Sequence, residues 1–410
     1  MKIILIVADG MADRPVKELG GMTPLEVADK PALDEVARTG ECGIVDIISP
    51  GRPPGSDAAN LALLGYEPLK HYTGRGALEA LGVGIDVRKG DVAFRANFAT
   101  LDDKGLIIDR RAGRIDGRIM TPYLDDIELP SYPDVKITAR PSVEHRAALV
   151  VSGEGLSWNV SDSDPHRDSA PPAQVTPLDA SVEALRTSHI LNEALRVLNQ
   201  RLEDSPVNKK RMREGLNPAN VILVRGAGTV PDLTSLKDLY GVSGTCVAMN
   251  AVVRGVCRAA GLDIVEVEGA TGGIDTDTLS KARATEVSIH SHDLVYLHVK
   301  GTDTASHDGN VAAKIRMIEK IDSMTRHLLD HLDMQDVYIA ITADHTTSLA
   351  RREHMGDPVP LAITGPDVRR DSVAQYDERA CALGAVGRIR GIDVMPMLMG
   401  LSGKSPLYGS

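Results

Sequence analysis

Two apolar runs in this chain end in residues suited to holding metal. HVKGTDTASHDGN (298–310) carries Asp303 and, four places on, His307; AITADHTT (340–347) closes on Asp344 and His345. Adjacent polar ligands at a strand end have no evident packing role, whereas carboxylate and imidazole are both metal donors. Asp9 ends the first apolar run, in VADG. His354 lies beyond the second motif in RREHMGDPVP, where a loop is expected, and Ser56 opens an expected helix in PPGSDAAN. Singly, each has a plainer reading: a strand-ending aspartate is commonly a turn former, a serine at a helix start an N-cap, an isolated histidine a surface group. Together at one sheet edge they make a metal-and-nucleophile set.

Imidazole with carboxylate suits Mn²⁺ or Zn²⁺, and an all-oxygen site suits Mg²⁺. Two such ions about 3.5–4 Å apart can hold the attacking and leaving oxygens of an in-line phosphoryl transfer. A serine at a helix N-terminus sits where anions are attracted, and a nearby metal would turn its hydroxyl into a nucleophile. The chemistry implied is covalent transfer through a phosphoserine.

The elements that must position these groups read as short strands rich in Val and Ile: 2–9, 43–48, 220–226, 245–249, 262–269, 293–301, 336–344 and 359–365. Most are apolar on both faces, as in parallel sheets covered by helices. Helical segments alternate with them at 30–40, 56–66, 247–261 and 310–332. The expected fold is α/β, a doubly wound, mostly parallel sheet. In such sheets ligands bind beyond the carboxyl ends of the strands, which is where the candidate ligands fall. The middle of the chain differs, with alternating polar strands at 91–101 and 145–153, a Pro-rich stretch at 163–177 and a long amphipathic helix at 180–202. We expect a catalytic domain of residues 1–87 and 216–410 and an inserted α+β domain of residues 88–215, with 209–220 as a linker back to the main sheet.

The whole chain narrows the partners. A net charge of -11 and 3% aromatic residues argue against nucleic-acid binding. No apolar run is long enough to cross a bilayer, and MKIILIVADG reads as a first strand and not as a signal peptide. The scattered cysteines, Cys42, Cys246, Cys257 and Cys381, with no C-x-x-C pair, fit a reduced cytoplasmic protein. A small-molecule substrate is expected; a homo-oligomer is compatible with the chain.

VADG, GSDAAN, KGTDTASHDG, TADHTT and REHMGDPVP together resemble the metal-and-nucleophile motifs of the alkaline phosphatase superfamily. Their order, the chain length, the position of the insertion and GLDIVEVEGATGGIDTD (261–277) resemble, within it, the archaeal-type cofactor-independent phosphoglycerate mutases. The resemblance implies two divalent ions, with Mn²⁺ the first choice and Mg²⁺, Zn²⁺ or Co²⁺ as substitutes. Asp303, His307 and His354 would hold one, and Asp9, Ser56, Asp344 and His345 the other. It also implies Ser56 as nucleophile and interconversion of 2-phosphoglycerate and 3-phosphoglycerate without bisphosphoglycerate.

A mutase must retain glycerate and exclude water, so the inserted domain is expected to act as a lid offering cationic forks to the substrate. Arg140, His145, His166 and Arg167 are the candidates there, with Lys300 beside the metal motif and Arg225 as a further one. Alternatives on the same scaffold are a phosphomonoesterase, a phosphonate hydrolase or another phosphomutase. A non-catalytic metal-binding module would leave Ser56 without a purpose.

Overall fold

In the computed structural model, which describes residues 1–407 and 409, the chain forms two compact units: Met1–Tyr72 with Leu233–Ser410, and Thr73–Asp232. In chain order the strands are β1 (Lys2–Ala8), β2 (Glu41–Asp46), β3 (Val92–Leu101), β4 (Ile107–Asp109), β5 (Lys136–Pro141), β6 (Arg146–Ser152), β7 (Val221–Gly228), β8 (Gly244–Val247), β9 (Asp263–Ile264), β10 (Leu294–Val299), β11 (Val337–Thr342), β12 (Thr346–Ser348), β13 (Glu353–Met355), β14 (Val359–Thr364) and β15 (Gly387–Arg390). No described helix is long and apolar enough to cross a membrane.

The first unit holds an eight-stranded sheet in the order β15-β2-β14-β11-β1-β10-β8-β9. It is mixed: β14 runs antiparallel to β11 and β2, and the other pairings are parallel. The central strands β11, β1 and β10 read VYIAIT, KIILIVA and LVYLHV and are buried almost throughout, which follows from cover on both faces. Their register aligns Ala8 with Val299 and Val7 with Thr342. The residues just past these positions, Asp9, Lys300 and Asp344, therefore emerge at one edge.

The second unit is built on a five-stranded sheet, β4-β3-β6-β5 with β7 also paired to β3, all antiparallel. The helix Val182–Glu203, capped by Ser181, contributes Ile190, Leu191 and Leu198 to a core with Phe94, Phe98, Leu149, Ile222 and Val224.

These limits differ from the expected 88 and 215 at both ends. The strand at 220–226, expected in the main sheet, is β7 of the second unit. Its apolar residues face two cores, Ile222 and Val224 one and Val221 and Leu223 the other, so burial on both faces here marks an antiparallel strand. At the other end, the helix Arg75–Gly82 lies close on β3: a Cβ at Gly76 would sit 2.1 Å from the Ala93 carbonyl oxygen. The expected linker at 209–220 begins within a helix, Pro206–Arg213, whose start is capped by Ser205. The run expected as a strand at 262–269 narrows to the two residues of β9.

Candidate active site

The first unit supplies the candidate metal ligands from four places. Asp9 follows β1, and Asp344 and His345 follow β11. Asp303 and His307 lie on the helix Gly301–His307, where an i, i+4 spacing puts both on one face. His354 is on β13, paired with Thr347 of β12 in a short antiparallel hairpin; the expected loop is thus a strand that turns His354 back onto the site. Gly10 allows the chain to leave β1 here: its φ is +64°, and a Cβ would lie 2.4 Å from Thr347 Oγ1.

Ser56 opens the helix Ser56–Leu63, and the N-cap is Gly55, which makes no side-chain capping bond. The Ser56 hydroxyl is therefore not used as a cap. It is buried and lies 3.4 Å from His345 Nε2. The same nitrogen is 3.4 Å from Asp9 Oδ1 and 3.5 Å from Asp344 Oδ1. A second cluster centres on Asp303 Oδ1, 3.3 Å from His307 Nε2 and 3.4 Å from His354 Nε2. His345 and His354 stack with ring centroids 3.6 Å apart, joining the clusters.

The outer nitrogens orient the imidazoles. His307 Nδ1 meets the Arg352 carbonyl at 2.7 Å and His354 Nδ1 the Pro54 carbonyl at 2.8 Å. A carbonyl only accepts, so each Nδ1 carries a proton, and in the neutral ring the lone pair points inward from Nε2. The two inward nitrogens are 3.3 Å apart, an arrangement that calls for a cation between acceptors. Asp9 Oδ1 is buried without a hydrogen-bond partner, a second sign that the donors fit divalent ions. Asp303, His345 and His354 form one group of close ligand atoms, and Asp9, His298 and Asp344 another.

Charge is concentrated here. Burial raises the Asp344 carboxyl and the negative charge of Asp9 adds to it, so that it titrates at about 7. Burial also opposes ionisation of Asp9, but Lys300 and His298 outweigh it and hold Asp9 at about 2. Asp303, buried too, is kept well below the usual carboxylate range by His307, His354 and Lys300. Burial lowers His345 to about 3, so its ring is neutral, whereas Asp303 raises both His307 and His354. Lys300 Nζ bridges the two clusters, 3.1 Å from Asp9 Oδ2 and 2.7 Å from Asp303 Oδ2.

Several residues at the site carried no sequence signal. His298 lies inside β10 within an apolar run, with Nε2 buried, unpartnered and 3.3 Å from Asp9 Oδ2. Asn60, one turn after Ser56, donates to Asp344 Oδ2 at 3.1 Å and to the Ser56 carbonyl at 2.6 Å. Thr347 joins His345 to Asp303. All three lie within the quoted stretches, His298 opening HVKGTDTASHDGN, Asn60 closing GSDAAN and Thr347 closing TADHTT, but their residue types and spacing did not single them out.

The other substrate candidates belong to the second unit. Arg140 is exposed and donates to the Gly84 carbonyl. His166 is exposed, held by Asp162 at 3.1 Å, and Arg167 is exposed. His145 is buried, and burial with neighbouring Arg146, Arg111, Arg95 and Arg114 lowers it to about 4. The stronger cationic feature surrounds Arg95, which burial lowers to about 9 with Arg75, Arg225 and Arg146 close by. The Nε atoms of Arg95, Arg146 and Arg225, and His145 Nδ1, are buried without hydrogen-bond partners. Glu79 faces Arg75 and Arg95, and Asp164 faces Arg110 and Arg225. These guanidinium groups outnumber the carboxylates that face them, which makes the cluster an anion-seeking one. Sequence spacing had no means to single out Arg95 and Arg146, because they come together only by β3–β6 pairing.

Comparison with known proteins agrees along the whole chain. Residues 37–208 match a family model described as 2,3-bisphosphoglycerate-independent phosphoglycerate mutase. A protein of that name from Methanobrevibacter smithii is 47% identical over 415 residues, covering 100% of both chains. One from Ignicoccus hospitalis is 45% identical, covering 100% of this chain and 99% of its own. Among solved structures, a Pyrococcus horikoshii protein superposes with a TM-score of 0.86 at 36% identity over 100% of this chain and 99% of its own. A cofactor-independent phosphoglycerate mutase from Thermoplasma acidophilum gives 0.71 at 38% identity, covering 98% and 100%. With ligand clusters at one sheet edge, a helix-opening serine beside His345 and this likeness from end to end, the chain belongs to the 2,3-bisphosphoglycerate-independent phosphoglycerate mutase family.

Proposed function

We propose that this protein interconverts 2-phosphoglycerate and 3-phosphoglycerate through a phosphoserine at Ser56, needing two divalent cations and no bisphosphoglycerate. The observation that carries this reading is the Ser56 hydroxyl, free of capping duty and 3.4 Å from His345 Nε2, the nitrogen that also lies 3.4 Å from the unpartnered Asp9 Oδ1. Asp303, His307 and His354 would hold one cation, and Asp9, Ser56, Asp344 and His345 the other, with Mn²⁺ the first choice because the donors mix imidazole and carboxylate. Bound there, the cations would lower the pKa of the Ser56 hydroxyl and balance charge on the phosphoryl oxygens.

Ser56 Oγ gives up its proton and attacks phosphorus as the ester bond to the glycerate oxygen breaks, and that oxygen takes up a proton in return. The other glycerate hydroxyl then attacks the phosphoserine and gives up its proton, returning Ser56 Oγ to the hydroxyl. Lys300, which bridges Asp9 and Asp303, is our candidate for contact with a phosphoryl oxygen. Within the second unit, we take the guanidinium cluster of Arg75, Arg95, Arg110, Arg146 and Arg225, bordered by His145, as the group best suited to a carboxylate, ahead of the exposed Arg140, His166 and Arg167. The buried thiols of Cys42, Cys246, Cys257 and Cys381 suit a reducing cytoplasm.

The test is incubation with 3-phosphoglycerate and Mn²⁺ in the absence of bisphosphoglycerate. We expect 2-phosphoglycerate to accumulate with little free phosphate. Release of phosphate as the main product would identify a hydrolase instead.

A further inference from the structure

Thr347 occupies a place that no chemical step requires, yet its hydroxyl touches both ligand clusters. The residue is fully buried. Its Oγ1 lies 2.9 Å from Asp303 Oδ1 and 2.9 Å from His345 Nδ1. A hydroxyl has one proton, and an ionised carboxylate can only accept. The Thr347 proton therefore goes to Asp303, which obliges His345 Nδ1 to carry a proton and donate it to Thr347 Oγ1. The ring is then left with its lone pair on Nε2, the atom facing Ser56 Oγ, Asp9 Oδ1 and Asp344 Oδ1. His307 and His354 reach the same tautomer through backbone carbonyls; His345 depends on a side chain.

The position of that side chain is itself fixed from several directions. The Thr347 carbonyl accepts from Lys314 Nζ at 2.8 Å, and its N–H donates to the Ala12 carbonyl at 3.2 Å. Thr347 pairs with His354 in the β12–β13 hairpin. At Gly10 the absence of a Cβ leaves room for Oγ1.

We propose that Thr347 is a positioning residue coupling the two cation sites: one hydroxyl sets the tautomer and rotation of His345 in one site and anchors Asp303 in the other. The inference rests on the two-cation reading above. Metal-linked second partners of this kind typically alter affinity 10–100-fold.

The experiment compares wild type, Thr347→Val and Thr347→Ser by Mn²⁺ titration, with calorimetry or the electron spin resonance signal of free Mn²⁺ as readout. Valine keeps the branched shape and removes both hydrogen bonds; serine restores the hydroxyl. We expect Thr347→Val to lose about 10–100-fold in affinity for Mn²⁺, and Thr347→Ser to recover most of it. Activity of the valine variant should return in large part at high Mn²⁺. A valine variant that binds both ions as tightly as wild type overturns this inference alone. A serine variant as weak as the valine one also overturns it, since the loss would then be one of packing. Wild-type protein that binds fewer than two ions overturns the two-cation reading and this inference with it. Should the valine variant not fold, ¹⁵N chemical shifts of the His345 ring in metal-free wild-type protein decide: a proton on Nδ1 supports the proposal, a proton on Nε2 overturns it.

Discussion

Removing the Ser56 hydroxyl should stop isomerisation without dispersing the ligands around it. In Ser56→Ala we expect kcat to fall by about 10⁴-fold or more, with Mn²⁺ still bound; turnover near the wild-type rate would remove Ser56 from its role as nucleophile. If these residues hold the cations, protons would compete with metal for them. Asp344 titrates at about 7, and His307 and His354 are raised above their ordinary value, so all three hold protons more readily than isolated groups do. Mn²⁺ affinity should therefore tighten between pH 6 and pH 8, by up to about tenfold per unit for each proton displaced. His345, lowered to about 3, adds nothing in that window. Isothermal titration at fixed ionic strength would show this, and a flat profile would contradict it. The candidate ligands stood out in the sequence because a polar pair at the end of an apolar run is conspicuous. His298 was not, since it sits within such a run; nor was Asn60, a helical residue whose partners Asp344 and Tyr296 are remote in sequence.

At the scale of elements, the helix Val311–His331 ties the site together through Lys314. Its ammonium is fully buried, 2.9 Å from Asp13 Oδ2 and within hydrogen-bond reach of the Ala12 and Thr347 carbonyls. Lys314→Met would leave Asp13 buried and unpaired, a change that costs about 3–5 kcal/mol. Urea unfolding of the metal-free protein should register the loss; an unchanged midpoint and slope would mean Asp13 finds other compensation. The strands β1, β10 and β11 were readable because parallel strands covered on both faces are apolar without alternation. That same rule misplaced β7, which is apolar on both sides for a different reason: its two faces serve two cores within an antiparallel sheet. The β12–β13 hairpin was invisible because its strands are only three residues each, too short for an alternating pattern.

Across the whole molecule, the two-cation reading predicts that cation binding and stability are linked. Metal-free protein gathers the carboxylates of Asp9, Asp303 and Asp344 around Lys300. The folded state raises the Asp344 pKa above its unfolded value, so its contribution to stability is present at low pH and is lost as pH rises through about 7. Divalent ions should reverse this loss. Each ion present at 100 times its Kd adds about 2.7 kcal/mol, and the rise in Tm on adding Mn²⁺ should be larger at pH 8 than at pH 6. Calorimetric scans with and without chelator would reveal an equal shift at both pH values if the linkage were absent. The central claim is that Asp9, Ser56, Asp303, His307, Asp344, His345 and His354 enclose a pair of cations around the Ser56 oxygen. Anomalous diffraction at the manganese edge, from crystals grown with Mn²⁺ and 3-phosphoglycerate, measures this directly. The account predicts two peaks, one among Asp303, His307 and His354 and one among Asp9, Ser56, Asp344 and His345, with phosphorus beside Ser56 Oγ. Peaks elsewhere, or none among these residues, would contradict it.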